Sequence, residues 1–240
     1  MRVAQLWSSH RRVILVVSLA IALGLFLVSL PPNVRIDFVA GLLAQRTLVS
    51  LLLFFGLLTL SLLWSTGQGL DAWIFMRLNL RGYHPAWLDR LMWLITHMGN
   101  MVLAMGLALF FFLLGDRRLT FDIMLGVLTL WLAVETIKAL TERARPFIQF
   151  RETRIIGRRQ RGLSFPSGHT SQVFFLATLL AHRFELDFWT KIFLYGIAAL
   201  VGFTRMYVGA HYPRDVVGGA LLGSIWAIMS GLVNPYTVNR

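Results

Sequence analysis

Long apolar segments recur along this chain, and they constrain its fold more than any other feature. They can be drawn at about 13–30, 47–65, 95–115, 119–138, 169–183, 190–206 and 215–233. A helix needs roughly 20 apolar residues to cross the hydrocarbon core of a bilayer. Since lipid offers no partner to an unpaired backbone group, such segments are expected to be helical. The sequence therefore predicts an all-α fold, a polytopic transmembrane helical bundle.

Composition supports this class and excludes others. Hydrophobic residues make up 57% of the 240 residues, above the proportion in ordinary soluble domains. Cysteine is absent, which excludes disulfides, thiolate metal sites and cysteine nucleophiles. The net charge of +12 is typical of basic loops that flank membrane helices and meet anionic headgroups. We expect no nucleic-acid partner, because no basic amphipathic module stands outside the apolar segments.

Two regions outside the main run of spans have their own character. The segment 13–30 follows Arg11 and Arg12, but it is longer than the apolar core of a signal peptide and no small-residue cleavage site follows. We interpret it as a retained anchor. Residues 67–94 mix apolar and charged side chains at helical spacing, which predicts a pair of interfacial amphipathic helices broken near Gly82 and Pro85.

Three short stretches carry polar chemistry beside the apolar segments, and the first is KALTERARP, Lys138 to Pro146. Lys138 and Arg145 are two helical turns apart, so both can lie on one face where the fourth segment ends. Pro146 then stops the helix, and Glu135 is placed to pair with Lys138. The plainer alternative is a snorkelling lysine and a positive flank.

The second stretch, Pro166-Ser167-Gly168-His169, opens the fifth apolar segment. We expect Pro166 at the first helical position. The hydroxyl of Ser167 and the free N–H groups of the first turn form an anion site, and Gly168 lets an oxyanion approach the backbone. His169 then stands at the rim of that site. A simple helix start is the alternative.

The third stretch is TRMYVGAHYPRD, Thr204 to Asp215. Arg205 ends the sixth segment, and we expect Pro213 to begin the last helix. Asp215, four residues after His211, can then reach back to the histidine ring, fixing its tautomer and raising the nucleophilicity of its other nitrogen. A capping aspartate and a loop histidine are the alternative.

Each of these three alternatives is reasonable for its own stretch, but together they explain the sequence poorly. The connection 184–189 is short enough for the fifth and sixth segments to form a helical hairpin, which would bring all three stretches to one membrane face. That face would gather Lys138, Arg145, Ser167, Gly168, His169, Arg205, His211 and Asp215.

At these residues the chain resembles the type 2 phosphatidic acid phosphatase superfamily, which includes vanadium haloperoxidases. The pattern of that family is K-x6-R-P, then P-S-G-H, then S-R-x5-H-x3-D. Every spacing matches, and the one departure is Thr204 where the family usually has serine. The resemblance covers roughly residues 47–233. It implies a six-helix phosphatase core plus one extra N-terminal apolar helix, and divides the chain into an N-terminal anchor and connection at 1–46 and a membrane phosphatase domain at 47–240.

The resemblance also implies a role for each motif residue. His211 would attack phosphorus and form a phosphohistidine, with Asp215 orienting it. His169 would protonate the leaving oxygen and then activate the hydrolytic water. Phosphate oxygens would be bound by the remaining motif residues, Lys138, Arg145, Ser167, Gly168 and Arg205. No metal and no cofactor is implied.

The membrane setting indicates a lipid phosphate or polyprenyl pyrophosphate as substrate, beside membrane lipids as partners. Phosphatidylglycerol phosphate, phosphatidate, a polyprenyl pyrophosphate and a lipid A phosphate all fit. The loop 147–165 carries five further arginines that would attract a polyanionic headgroup or simply flank the membrane: Arg151, Arg154, Arg158, Arg159 and Arg161. A lipid phosphotransferase with the same intermediate, a vanadate-dependent haloperoxidase, and a non-enzymatic lipid-binding protein or transporter are the rival functions.

Two further expectations concern orientation and the histidines outside the motifs. The resemblance implies a multi-pass protein of the plasma (inner) membrane with its site on the extracytoplasmic face. The positive-inside rule favours the cytoplasm instead, because more Lys and Arg residues flank the spans on the motif side. His84 and His97 belong to no motif, and we interpret them as polar interface residues.

Overall fold

The computed structural model describes residues 31–80 and 84–233, together with isolated positions between 18 and 29. Every regular element in those two ranges is helical, so the all-α prediction is confirmed there. The predicted anchor 13–30 lies largely outside them. The elements are α1 Pro32–Ala44, α2 Arg46–Ser61, α3 Ser65–Asn79, α4 Ala86–Thr96, a 3₁₀ turn His97–Gly99, α5 Met101–Leu113, α6 Arg117–Thr141, α7 Pro146–Gln149, α8 Gly168–Arg183, α9 Phe188–Tyr207 and α10 Pro213–Val233.

The predicted segment 95–115 is interrupted near its start. The 3₁₀ turn ends at Gly99, and α5 begins after Asn100, whose side chain accepts from the backbone N–H of Leu103. Gly99 lies directly against α8, where a Cβ would approach the carbonyl oxygen of His169 to 2.7 Å. Because Gly99 has no side chain, the backbone at this break can lie close to the start of α8.

Fewer helices are long and apolar enough to cross a membrane than the seven apolar segments of the sequence suggest. In the described part of the chain, one unit, Arg117–Gln149, is long and apolar enough to cross a bilayer alone. Two bent pairs qualify only if each counts as one span: α2 with α3, which meet at 95°, and α4–Gly99 with α5, which meet at 56°. The sharp turn between α2 and α3, and the break between α3 and α4, agree with the predicted pair of helices in 67–94.

The helix α6 is apolar on both its inner and its outer faces. Its inner stripe is Leu119, Ile123, Val127, Leu130 and Val134, which pack into the core with α5, α8 and α10. Other large apolar side chains of the same helix point outward, with Phe121 61% exposed and Leu128 51% exposed. A helix that is apolar all round is buried in a large core or in lipid. An outward apolar face therefore supports a membrane setting.

The helix α8 lies at the centre, where it contacts α5, α6, α9 and α10. Its contact with α10 is the most intimate, because Gly219 and Gly223 of α10 face it one turn apart. A Cβ on Gly219 would lie 2.6 Å from the carbonyl oxygen of Ser167, and one on Gly223 would lie 2.0 Å from that of Ser171. Small residues at this spacing let membrane helices approach backbone to backbone. This contact places the start of α8 beside the start of α10.

We predict that Gly223→Ala destabilises the protein, by about 1–3 kcal/mol for overpacking, because the added Cβ meets backbone atoms. Thermal unfolding in detergent measures it. Gly196→Ala is the matched control, since its Cβ would meet nothing within 4 Å and alanine is the better helix former. Equal melting temperatures for the two variants would contradict the close α8–α10 contact.

Candidate active site

The structure brings the eight predicted site residues to one end of the bundle. α6 and α9 end there, and α8 and α10 begin there, because the short turn after Arg183 reverses the chain into α9. The predicted helical hairpin is therefore present. The backbone N–H of Ser167 donates to the carbonyl oxygen of Asp215 at 2.9 Å, which joins the second stretch to the third.

The helix start at the second stretch differs from the prediction. α8 begins at Gly168 with Ser167 at the N-cap, so Pro166 lies outside the helix and the expected first-turn proline is wrong. The physical reason is the bond from Ser167 N–H to α10, which holds residue 167 against the neighbouring helix. The hydroxyl of Ser167 accepts from Thr170 at 2.9 Å instead of capping the helix. A Cβ on Gly168 would touch only Val134, at 3.7 Å, so the space beside this backbone is open.

His211 and Asp215 are neighbours, but a third residue completes their contact. The Nδ1 of His211 lies 3.6 Å from Oδ2 of Asp215, beyond a good hydrogen bond. The hydroxyl of Ser164 donates to the same carboxylate oxygen and lies 3.5 Å from Nδ1. The backbone N–H of Tyr212 donates to that oxygen as well, at 2.8 Å. Asp215 and Ser164 therefore lie on the Nδ1 side of the ring, and Nε2 lies on the side of Arg145.

Arg145 stands on the Nε2 side of His211. Its Nη1 lies 3.3 Å from Nε2 and donates to the carbonyl oxygen of Ala210 at 3.1 Å and to Oε1 of Gln160 at 3.2 Å. Its Nε donates to the carbonyl oxygen of Gly162 at 3.0 Å. The guanidinium is thus anchored by the loop before α8, with the side-chain amide of Gln160 on its Nη1.

Arg205 is the least compensated cation at this end. It is 1% exposed, and the one hydrogen bond that its side chain forms within the described structure runs from Nη1 to the hydroxyl of Thr96. Its Nε and Nη2 are buried without a hydrogen-bond partner. Buried N–H groups of a charged side chain are costly to leave unpaired. Among the described residues, these two groups therefore lack the acceptors that would offset the cost of burying the charge.

Lys138 has the partner that its spacing predicted. Its Nζ lies 2.7 Å from Oε1 of Glu135, one turn earlier on α6. The lysine side chain is 13% exposed and the glutamate 49%, so the pair lies at the rim.

Two cavities meet at His169 and Gln160. One, of about 480 Å³, is bordered by Lys138, Arg145, Gly168 and His211 and runs along α6 past Val127, Leu130, Trp131 and Val134. The other, of about 430 Å³, is bordered by Arg205, Thr96, Trp93 and Arg158. The site therefore combines a charged end with an apolar channel.

Residues 118–237 match the family model of the PAP2 superfamily. The chain belongs to the PAP2 superfamily. It is 31% identical over 193 residues to phosphatidylglycerophosphatase B of Bacillus subtilis, covering 73% of this chain and 88% of that protein.

Two further similarities agree with membership of the PAP2 superfamily. A crystal structure of a transmembrane PAP2-type phosphatidylglycerolphosphate phosphatase from Bacillus subtilis superposes with a TM-score of 0.65 at 29% identity, covering 80% of this chain and 98% of that one. The lipid A 4'-phosphatase of Bacteroides thetaiotaomicron is 43% identical over 67 residues, which is 28% of this chain and 29% of that protein. That match spans less than a third of the relative's length.

Sequence reasoning missed three residues that surround the PAP2 motifs. Ser164 stands two positions before Pro166, and Arg143 stands inside the first stretch, two positions before Arg145. Asp71 lies on α3, far from any motif, and bonds to Arg143 and Arg214. The positions of Ser164 and Arg143 in the chain were a usable signal, whereas nothing in the sequence pairs Asp71 with either arginine.

The loop arginines and the remaining histidines have varied surroundings. Nη2 of Arg154 donates to both carboxylate oxygens of Asp89, at 2.8 and 2.9 Å, so Arg154 is a structural residue and not a free headgroup contact.

His84 contacts the hydroxyl of Tyr207 through Nδ1 at 3.2 Å. His97 contacts the carbonyl oxygen of Trp93 at 2.6 Å and borders the smaller cavity. Each of the two histidines therefore has a contact with a neighbouring residue, and their interpretation as polar interface residues stays a prediction.

We predict that the acid limb of kcat/KM has its midpoint below pH 6.5. Burial lowers the pKa of His211 well below 6.5, and the nearby cations of Arg145, Arg205 and Lys138 lower it further. A histidine that attacks phosphorus must be neutral, so activity that depends on His211 as nucleophile would be lost only as pH falls through this lowered pKa. A pH–rate profile checks it, with the ionisation of the substrate phosphate determined separately by ³¹P NMR in the same micelles. A protein-derived limb above pH 6.5 would contradict this environment for His211.

Ser164→Ala should lower kcat by about tenfold, since the variant removes a hydrogen bond to a buried carboxylate, an effect of about 1.5 kcal/mol. Ser171→Ala is the control, because the hydroxyl of Ser171 donates only to the carbonyl oxygen of Ser167 within the helix. Steady-state phosphate release measures both variants. If the two substitutions have the same effect on kcat, Ser164 plays no special part in orienting His211.

Proposed function

We propose that this protein is an integral membrane phosphatase that hydrolyses lipid phosphates or lipid diphosphates through a phosphohistidine on His211. The observation that carries this proposal is the buried guanidinium of Arg205, which borders the same cavity as His169 and whose Nε and Nη2 have no hydrogen-bond partner among the described residues. A phosphate oxygen supplies the acceptors that these groups lack. Membership of the PAP2 superfamily supports the same reaction class.

In the first step, Nε2 of His211 attacks phosphorus and forms a P–N bond, while the bond from phosphorus to the lipid oxygen breaks. His169 gives its proton to that leaving oxygen. Negative charge builds on the non-bridging oxygens during this step. They are bound by Lys138, Arg145, Arg205, the Gly168 N–H and the Ser167 hydroxyl. The side-chain amide of Gln160 must leave Arg145 when the phosphate binds, because both use the same Nη1.

In the second step, His169, now neutral, takes a proton from water, and the resulting nucleophile attacks phosphorus. The P–N bond breaks, inorganic phosphate forms, and His211 recovers its free Nε2. Asp215 stabilises the positive imidazole of the intermediate from the Nδ1 side, with Ser164 between them. The cations take the part that Mg²⁺ plays in many phosphoryl-transfer sites, so we propose that no metal is needed.

A lipid substrate is supported by the larger cavity. It leads from Lys138 and His211 past Val127, Leu130 and Trp131 of α6. The last of these is 49% exposed, so the channel opens on the outer apolar surface of the bundle. We propose that the phosphate binds at the charged end and that the acyl or prenyl chain leaves along this channel into the bilayer.

Topology follows as part of the same proposal. Residues 47–240 form the phosphatase domain, and 1–46 hold an added N-terminal anchor and its connection. The active site lies on the extracytoplasmic face of the plasma (inner) membrane. Tags at each terminus, tested for protease access in intact cells and in inverted vesicles, separate this orientation from the cytoplasmic one.

The function is tested by phosphate release from phosphatidylglycerol phosphate, phosphatidate, a polyprenyl diphosphate and a lipid A phosphate. We expect turnover of at least one lipid in EDTA, none for His211→Ala, and kcat lower by about 100-fold or more for Arg205→Ala, as for loss of an oxyanion donor at about 3 kcal/mol. Arg183→Ala is the matched control, because Arg183 pairs with Asp116 at the opposite end of the bundle.

Each component of the proposal has its own contrary result. Normal phosphate release by folded His211→Ala would refute the phosphohistidine. Activity that disappears in EDTA and returns with Mg²⁺ would refute metal independence. Transfer of the phosphoryl group to an added alcohol in preference to water would make the protein a phosphotransferase, which product analysis by ³¹P NMR detects.

A further inference from the structure

A line of alternating charges runs from α3 into the site. The guanidinium of Arg143 lies between two carboxylates: its Nη1 donates to Oδ1 of Asp215 at 2.6 Å, and its Nη2 donates to Oδ2 of Asp71. Asp71 is 3% exposed and Asp215 is 0% exposed. Neither Arg143 nor Asp71 belongs to the family pattern, and neither borders the two cavities described above.

The outer end of this line is fixed to three helices. Asp71 accepts from the backbone N–H of Arg214 at 3.1 Å and from its Nε at 2.7 Å. Arg214 also donates through Nη1 to the carbonyl oxygen and the hydroxyl of Ser61, at 2.6 and 3.0 Å. Asp71 therefore connects the end of α2 and the body of α3 with the first turn of α10, which carries Asp215.

The plane of Arg143 is fixed as well. Its guanidinium carbon lies 4.5 Å from the centroid of the Tyr212 ring. An arginine held over an aromatic face and bonded at both prongs cannot be replaced by lysine, whose ammonium offers a point charge and no fork. This arrangement therefore requires the guanidinium group of Arg143.

The charges decide what Asp215 can do. A fully buried carboxylate without a cationic partner is costly and tends to take up a proton. The cation of Arg143 favours the ionised form of Asp215, but an arginine devoted to Asp215 alone would weaken that carboxylate as an acceptor for His211. Asp71 shares the same guanidinium and so leaves negative charge on Asp215 for the Nδ1 side of the ring.

We propose that Arg143 and Asp71 are positioning residues for the nucleophile: they hold Asp215 as an oriented carboxylate, and through it they set the tautomer of His211. This inference rests on the proposed function, because it assigns the pair a task in the attack on phosphorus. The pair acts on the chemical step and leaves the phosphate clamp of Lys138, Arg145 and Arg205 unchanged.

The kinetic pattern separates positioning from a purely structural role. Asp71→Asn keeps the size of the side chain and removes its charge, and we expect kcat to fall about tenfold with KM within about twofold, by analogy with the loss of the partners that orient metal ligands. Arg143→Gln should lower kcat further. The kcat of Arg143→Lys, which keeps the charge but loses the forked guanidinium, should lie between the kcat of Arg143→Gln and that of the wild-type protein.

A double-mutant cycle completes the experiment. Because both residues act on Asp215 through one guanidinium, adding Asp71→Asn to Arg143→Gln should change kcat by less than about twofold. Asp116→Asn is the control, since Asp116 is also paired with an arginine, Arg183, at the opposite end of the bundle. It should leave kcat unchanged. Thermal unfolding of each variant in detergent shows which proteins are folded, and Asp71→Asn and Arg143→Lys provide the test if Arg143→Gln does not fold.

The outcomes distinguish this inference from the proposed function. Turnover by the wild-type protein and none by His211→Ala supports the function. With that result in hand, unchanged kcat in Asp71→Asn, additive effects in the cycle, or a rise in KM that accounts for the whole loss would each overturn the positioning role alone. No turnover by the wild-type protein on any lipid phosphate overturns both.

Discussion

The rest of this end of the molecule depends on the interactions that stabilise the buried carboxylate of Asp215. It lies at the first turn of α10, is inaccessible to water, and is surrounded by apolar helices. An ion in such a place is tolerated only with paired charge and saturated hydrogen bonds. Arg143, Ser164 and the backbone N–H of Tyr212 provide these, and each comes from a different part of the chain.

Close helix packing makes that arrangement possible. α8 and α10 meet through Gly219 and Gly223, so the backbone of the PSGH stretch contacts the turn that carries Asp215. A bulkier residue at either glycine would separate the two helices and the charges on them. The polar site is thus a consequence of small residues in the apolar part of the bundle, and stability and chemistry share the same contact.

Much of this could be predicted from the chain alone. The apolar segments predicted the helices α2, α6, α8, α9 and α10 to within a few residues, because apolarity and length are local properties of the sequence. The spacing of Lys138 and Glu135 predicted their ion pair, since residues three apart share a helix face. With Pro166 expected at the first helical position, the start of α8 was predicted two residues early, because a contact with α10 that no local pattern reveals holds Ser167 outside the helix.

The sequence by itself determined the helical class, the family pattern and the residues that would gather at one end of the bundle. It did so because helix periodicity and motif spacing are encoded along the chain. Tertiary structure decided which groups complete the site: Ser164 beside His211, Arg143 between Asp71 and Asp215, and Arg205 with two unpaired N–H groups. Those partners depend on how buried charges from distant segments find acceptors once the helices pack, and a buried charge is compensated by whichever group lies near it in space.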